Sequence, residues 1–575
     1  MPSQECQIAT RSPITGLPSY VPPPNPYLPL EETIESTTSL PFHTYRPNGL
    51  LSVNTDASHP VYELIEKAQE DWRLKLNRAS QTLDEAIAEY RRRYNRAPPK
   101  GFGAWWEYVQ EHNVQLPDEY DQIARDIEPF WGYHPLDLQQ IQAEQESHTD
   151  SYTFGKTIGS EIRLMNFSFV PEPGPNVLRG AEDILALLKD VQQHIPPFRA
   201  VFSPHDNPIL LSDYDIKKKF TDAAATGSYV DLDGLPEPQQ DGWISACSPS
   251  SPAREASSGS FSDDVPSKSF IYDPRKTMDP CLHPMLLDIH GEFLSHDHGS
   301  SPQKRMLPQF AYCSTLIHHD IQYPSLLSWV DDINPRSDDP EWDKKLDERL
   351  SWRGSNTGMW HASDTRWREA QRARLVTYSN DLNGTARVLI PPTRKHDPVG
   401  DGINVSKSKI NPAMMDIAFA GSPLGCPSDY CKELETMFDW RKRQNAKEAG
   451  NFRYVIDIDG NAWSSRFKRL ITSNSLIFKA TIYPEWFLDR IQPWLHYVPV
   501  QIDLSDLYDS FIFFHGGMYG EGANVELAAK IAREGREWSK SFWRKQDMTA
   551  YLFRLMLEYA RVTSLDRDDM SYEQI

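Results

Sequence analysis

Between residues 58 and 95, Leu64, Ile65, Ala68, Trp72 and Leu76 recur at steps of three and four and fall on one side of a helix. That stretch closes on Arg91, Arg92 and Arg93, a pattern of a solvated helix end. APPK and GFG then break the chain, and GFGAWWEYVQEHNV and the run to Phe130, Trp131 and Gly132 read as further aromatic-rich helices. Residues 56–149 therefore form a helical N-terminal region. Ahead of it, residues 1–55 are rich in Pro, Ser and Thr without apolar periodicity, which predicts a disordered arm. From 150 to 332 short apolar runs alternate with helical stretches. Phe198 to Phe202 reads as a strand closed by Pro204, and Gln309 to His318 as a strand or short helix ending near Asp320. Residues 233–268, rich in Ser, Pro and Gly, read as a long flexible insertion.

A composition break in DDINPRSDDPEWDKK, residues 331 to 345, marks a boundary, and residues 333–575 carry the clearer alternation. Tyr454 to Ile458 is a strand, Asp459 to Asn461 a turn, Ala462 to Thr472 a helix with Trp463, Phe467, Leu470 and Ile471 on one face, and Leu476 to Ala480 the next strand. Such a βαβ unit predicts a parallel, doubly wound sheet, so the fold class is α/β. The tail from Val525 to Val562 reads as two amphipathic helices.

Length and charge narrow the function. A chain of 575 residues has room for roughly two to four domains. Its net charge of −21, from 60 basic and 81 acidic residues, repels phosphate backbones and argues against nucleic acid as the main partner. A bound diphosphate must therefore be met by locally gathered Arg and Lys. The six cysteines make no dense framework; Cys426 and Cys431 are close enough to pair across a loop, and two free thiols are the alternative. No run approaches the ~18 apolar residues of a spanning helix, and the opening MPSQECQIATRSPITGLPSY lacks the pattern of a signal peptide. Sequons stand at Asn166, Asn383 and Asn404.

Three stretches could carry chemistry. DIDGNAWSSRFKRL, residues 457–470, runs from a strand through a Gly turn into a predicted helix. That places free backbone N–H groups at a sheet edge, with Ser464, Ser465 and Arg466 ready to add phosphate contacts. The same pattern also fits an ordinary strand–helix connection. Asp457 and Asp459 within it form a DxD triplet that could hold a metal or simply shape the turn. WRGSNTG, residues 352–358, brackets hydroxyls and an amide between glycines, as a cradle for phosphate or sugar requires. Downstream, Arg366, Arg368, Arg372 and Arg374 crowd one predicted helix, where Arg368 and Arg372 share a face. Asp206, in FSPHDNP, stands at a predicted strand end, where open sheets place catalytic groups; a self-capping turn is the alternative.

WRGSNTG, YVIDIDGNAWSSRFKRLITSNSLIFK, EWF, PWLHYVPV and DLSDL closely resemble the Rumi-like protein O-glucosyltransferases and fungal capsule-associated proteins, together glycosyltransferase family 90. HDIQYP, FSPHDNP and ELAAKIAREG…YLFRLMLEYAR extend the resemblance, and PPKGFGAWWEYVQEHNVQL with PFWG is similar to the fungal branch, so that it covers residues 58 to 563. It implies a GT-B-like architecture: two Rossmann-like domains facing a cleft, acceptor side N-terminal and donor side C-terminal, with an N-terminal helical extension and C-terminal helices. It implies inverting transfer from a UDP-sugar, xylose or glucose, with no cofactor and no metal. Asp206 matches the catalytic Asp, and Ser355 the donor-binding Ser of the RGS motif. Asn461, Ala462, Trp463, Ser464, Ser465 and Arg466 match the donor-binding turn. A further donor arginine is Arg372, with Arg368 as the alternative.

The expected partners are a UDP-sugar donor and a glycan or protein acceptor, with the fungal-type N-terminus favouring a glycan. The compartment that the resemblance implies is the secretory lumen, Golgi or ER; this start shows neither signal nor anchor, which leaves the cytoplasm as the alternative. A glycoside hydrolase and a non-catalytic carbohydrate binder are the competing functions.

Overall fold

The computed structural model describes residues 41–169, 179–257, 268–295, 299–325 and 339–573. Among these, two five-stranded sheets carry the architecture. The C-terminal sheet runs Met415–Phe419, Asp347–Gly354, Phe452–Ile458, Leu476–Ala480, Val498–Pro499, every neighbouring pair parallel. MDIAF and LIFKA are buried at every position, as expected of parallel strands covered on both faces. The N-terminal sheet is mixed. Arg163–Ser168 and Ser151–Lys156 pair antiparallel, Ser151–Lys156 pairs antiparallel with Phe198–Phe202, and Gln309–Ala311 and Ile321–Gln322 continue parallel. In an open α/β sheet, ligands meet the loops beyond the strand carboxyl ends. FSPHDNP follows Phe198–Phe202, SNTG follows Asp347–Gly354 and DGNAWSSR follows Phe452–Ile458.

The α/β class and the predicted strands at 198–202, 454–458 and 476–480 stand, with Gln309–Ala311 a strand. The tail forms helices Val525–Phe542 and Lys545–Val562. The single helical pattern of 58–95 is two helices, Pro60–Asn77 and Leu83–Tyr94. Thr82 interrupts it, because its hydroxyl accepts from the Glu85 N–H while the Glu85 carboxylate accepts from the Thr82 N–H.

Three expectations need correction. Residues 41–55, placed in a disordered arm, include strands Thr44–Tyr45 and Leu50–Ser52. The second pairs with Ser269–Ile271, a partner more than two hundred residues away that no local pattern reveals; residues 1–40 lie outside the described residues. The insertion 233–268 is ordered where described. Trp243 donates its indole N–H to the Phe293 carbonyl at 3.0 Å, and Cys247 is disulfide-bonded to Cys281; residues 258–267 lie outside the described residues. Arg93 is no solvated end, since it bonds Glu89, Glu119 and Asp121 at 2.7, 2.8 and 3.2 Å. The boundary expected at 332/333 lies outside the described residues; each of the two large cores draws residues from both sides of it. Tyr551, Leu555 and Tyr559 of the last helix pack with Phe202 and Phe310, whereas Leu51, Val61 and Leu64 pack with Trp352, Ile456 and Phe478.

Candidate active site

Between the two sheets lies a cleft of 570 Å³ that all nine sequence-predicted site residues line. Asp206 enters from the N-terminal half. Behind it, the Cys313 thiol donates to the Asp206 carbonyl at 3.2 Å, and the Asp320 carboxylate accepts from the Ile209 and Leu210 N–H groups at 3.3 and 3.0 Å. The Asp206 side chain is exposed in the cleft. His205 turns elsewhere, its Nε2 3.5 Å from Asp150.

The C-terminal half supplies the cations. Arg372 lies at the start of helix Gln371–Asn380, which Ala370 precedes as the N-cap. Its Nε donates to the Asp459 carbonyl at 2.8 Å and its Nη1 to the Ser355 carbonyl at 3.0 Å and to the Thr357 hydroxyl. Arg466 donates to the Ile458 carbonyl at 2.9 Å and stands 3.7 Å from Asp457. Both guanidinium carbons lie near the Trp352 ring, at 5.6 Å for Arg372 and 5.3 Å for Arg466. Burial, and then the charge of Arg466, push Arg372 down to about 9 against the opposing pull of Asp457 and Asp459; burial lowers Arg466 as well. Two neighbouring guanidinium groups lining one cleft, each raising the cost of the other's charge or of its burial, favour an incoming anion.

Arg368 is not part of this arrangement. It sits in the short turn Trp367–Glu369 ahead of the helix and lies over the Trp367 ring at 4.5 Å, so it shares no face with Arg372. Arg366 likewise lies off the helix and pairs with Asp288 at 3.0 Å.

The turn from Asn461 to Arg466 departs from expectation. The predicted helix from Ala462 forms only over Phe467–Ile471, and Arg466 is its N-cap. The Gly460 N–H is spent on the Ala462 carbonyl at 2.8 Å. The Ser464 hydroxyl donates to Asp457, which leaves exposed Ser465 as the turn's unspent hydroxyl. Ala462 packs into the core, and Trp463 sets its ring 5.7 Å from Tyr312 of the other half. Asn461 accepts from the Gly358 N–H at 3.0 Å and so ties the turn to WRGSNTG. Ser355 lies within 3.4 Å of the Thr357 hydroxyl. The cleft wall is thus a side-chain and loop cradle, not a helix N-terminus.

Asp457 and Asp459 are buried and engaged. Asp457 accepts from Ser464 and from Lys479 at 3.2 Å; Asp459 Oδ2 accepts from the Ile482 N–H at 2.9 Å and meets His290 Nε2 at 3.3 Å, and its Oδ1 has no hydrogen-bond partner. Among the described residues no group of three His, Cys, Asp or Glu side chains stands where it could hold a metal ion.

Sequence reasoning missed Thr357, Trp352, Arg443 and Gln444 as cleft residues. Thr357 lay inside a motif already singled out. Arg443 and Gln444 come from RKRQ, a charge run indistinguishable from a solvated surface before folding.

Residues 285–570 match the family model "Glycosyl transferase family 90". That span holds the Ser355, Arg372 and Asn461–Arg466 motifs; Asp206 precedes it. Protein O-glucosyltransferase 1 of Rattus norvegicus is 24% identical over 269 residues, 45% of this chain and 58% of the relative, and that of Homo sapiens is 23% identical over the same extent. Protein O-glucosyltransferase 3 of Homo sapiens is 27% identical over 157 residues, 27% of this chain and 28% of the relative. The match with the first of these spans little more than half of the relative's length. No described helix is long and apolar enough to cross a membrane. With the WRGSNTG and DGNAWSSR motifs inside the matched span and protein O-glucosyltransferases among its relatives, the chain belongs to glycosyltransferase family 90.

Proposed function

We propose that this protein is an inverting glycosyltransferase of GT-B-like architecture that moves xylose or glucose from a UDP-sugar to a hydroxyl of a glycan or protein acceptor. One observation carries the reading: Asp206 from one half and the paired cations Arg372 and Arg466 from the other face a single cleft. Asp206 takes the acceptor proton as its oxygen attacks the anomeric carbon. The bond from that carbon to the diphosphate breaks, and its electron pair leaves with UDP. Arg372, Arg466 and the hydroxyls of Ser355, Thr357 and Ser465 meet the charge that grows on the departing oxygen. The cations are fixed before reaction, so the step needs no metal. The relatives named for protein O-glucosyl transfer support glucose as donor sugar and a protein as acceptor. The two disulfides support an oxidising compartment such as the secretory lumen.

A glycoside hydrolase needs a second carboxyl about 5 to 9.5 Å from the first. Among the described residues lining the cleft, Asp206 is the sole carboxylate. Assaying UDP release from a panel of UDP-sugars, with and without acceptor, tests the proposal. Release that acceptor stimulates supports it; binding without release leaves a carbohydrate binder.

A further inference from the structure

The loop bearing Asp206 is held from behind by its own half, through Cys313 and Asp320. Its forward hold is one side chain. Asn207 Nδ2 donates to the Asn461 carbonyl at 2.7 Å, in the donor turn, and to Glu292 Oε2 at 2.6 Å. Glu292 is buried and appears nowhere in the proposed chemistry. Its Oε2 also accepts from the Tyr483 hydroxyl at 2.9 Å. The segment carrying Glu292 is itself fastened to the donor half: the Gly291 N–H donates to Gln371 Oε1 at 2.8 Å, next to Arg372, and His290 Nε2 stands 3.3 Å from Asp459. An added Cβ at Gly291 would lie 2.1 Å from the Gly358 carbonyl oxygen, so the segment also abuts the WRGSNTG loop.

We propose that Asn207 and Glu292 form a latch between the halves: Asn207 is a positioning residue that sets Asp206 against the bound donor, and Glu292 is its anchor.

The latch rests on the transferase reading, in which Asp206 and the donor must meet at reacting distance. A side chain beside the base that bonds the donor turn directly fixes that distance. A shift of about 1 Å at such a site costs on the order of a hundredfold in rate. The anchor is sensitive to pH. Burial pushes the Glu292 carboxyl up to about 7, and the nearby carboxylates Asp320 and Asp459 push the same way, while the Asn207 and Tyr483 donors oppose them. His290, whose Nδ1 accepts from the Glu292 N–H, and the Cys313 thiol also face it. As pH rises through that value Glu292 gains its charge, and a charged acceptor holds Asn207 more strongly. The latch therefore tightens toward the alkaline side.

The test uses the full chain and three forms of it. Asn207→Ala should lower kcat at least about tenfold while UDP affinity by calorimetry stays within about twofold. The parent kcat should rise from about pH 6 to about pH 8, and Glu292→Gln, which keeps an accepting oxygen without a titratable charge, should lose that rise. Deuterium exchange in the 203–211 segment should quicken in Asn207→Ala. Unchanged kcat and exchange in Asn207→Ala would overturn the latch, and a Glu292→Gln profile that still rises would remove Glu292 from it. A parent that releases no UDP from any UDP-sugar would instead sink the transferase reading, and the exchange comparison, which needs no turnover, would still decide the latch.

Discussion

Trp352 stands within 5.6 Å of two guanidinium groups, an arrangement that spends indole surface on holding like charges together. On the proposed reading, an entering diphosphate would relieve the repulsion between Arg372 and Arg466, and each arginine would contribute to donor binding. Arg466→Ala should weaken UDP binding by about 1.5–3 kcal/mol, the range of a charge-assisted contact. Equal UDP affinities of variant and parent by calorimetry would remove Arg466 from the site. On the proposed reading Asp206 serves the other partner of the reaction, the acceptor. A sugar hydroxyl is too weak an acid to ionise at neutral pH, so its proton must leave as the new bond forms. Asp206→Asn keeps the shape and removes the basicity. Transfer should fall at least about a hundredfold while donor affinity holds; near-parent transfer, or loss of UDP binding together with activity, would show that Asp206 is not the base. His205 could not be separated from Asp206 by sequence beyond the opposite directions of neighbours on an extended chain. Its contact with Asp150, far away in sequence, places it outside the cleft lining.

Among elements, the WRGSNTG loop shows how a short motif gains its shape from a distant strand connection. Asn356 exchanges two hydrogen bonds with Leu424, donating to its carbonyl at 2.8 Å and accepting from its N–H at 3.0 Å. Cys426, two residues on, is disulfide-bonded to Cys431. Of the two alternatives for these cysteines, pairing or free thiols, the structure shows pairing. Asn356 is 2% exposed, so truncation leaves both Leu424 groups without their partner. Asn356→Ala should cost about 1–3 kcal/mol of stability, read as a lower urea midpoint, and should also weaken UDP binding, because Ser355 and Thr357 flank it. An unchanged midpoint would show that the loop is held by other means. The helix expected from Ala462 shows the opposite case. Apolar spacing at Trp463, Phe467, Leu470 and Ile471 is helical in period, yet Ser464 bonds Asp457 and Arg466 reaches back to the Ile458 carbonyl. Those contacts hold the first turn out of helical form, and an irregular turn results where periodicity alone predicted a helix.

Over the whole molecule, charge and covalent links bear on where and how the protein works. The net charge of −21 makes the cleft's arginines a local exception. Since fixed guanidinium groups can neutralise a diphosphate and Asp457 and Asp459 are already engaged, turnover should survive EDTA. Activity abolished by EDTA and restored by Mn²⁺ would return the DxD pair to a metal role. All three sequon asparagines are exposed; the Asn383 amide donates to Asp381 at 3.3 Å and the Asn166 amide to the Glu146 carbonyl at 3.0 Å. If the chain matures in the secretory lumen, endoglycosidase should shift the native protein's mobility through some of Asn166, Asn383 and Asn404; no shift, together with a cytosolic fractionation pattern, would contradict the lumenal proposal.

Much of this was legible in the chain itself. The runs YVIDI and LIFKA carry their own burial, because strands covered on both faces are near-continuously apolar. The motifs around Ser355 and Arg466 are local, since a turn that leads out of a strand is written in consecutive residues. The amphipathic tail helices were equally plain in their spacing. What only the tertiary structure decided is everything that depends on residues distant in sequence. Arg372 was separated from Arg368 by where the chain enters the helix after Ala370, and residues 41–55 became strands by pairing with Ser269–Ile271. The last helix reaches the first half, where the Tyr559 ring meets Phe310 at 4.9 Å, while its Tyr551 packs on Trp486 of the second at 5.5 Å. Asn207 reaches Glu292 and Asn461 only once the halves are packed. Periodicity reports which side of an element is apolar; it carries no information about which other element will cover that side, and at this cleft that choice brings Asp206 and the arginines to one cavity.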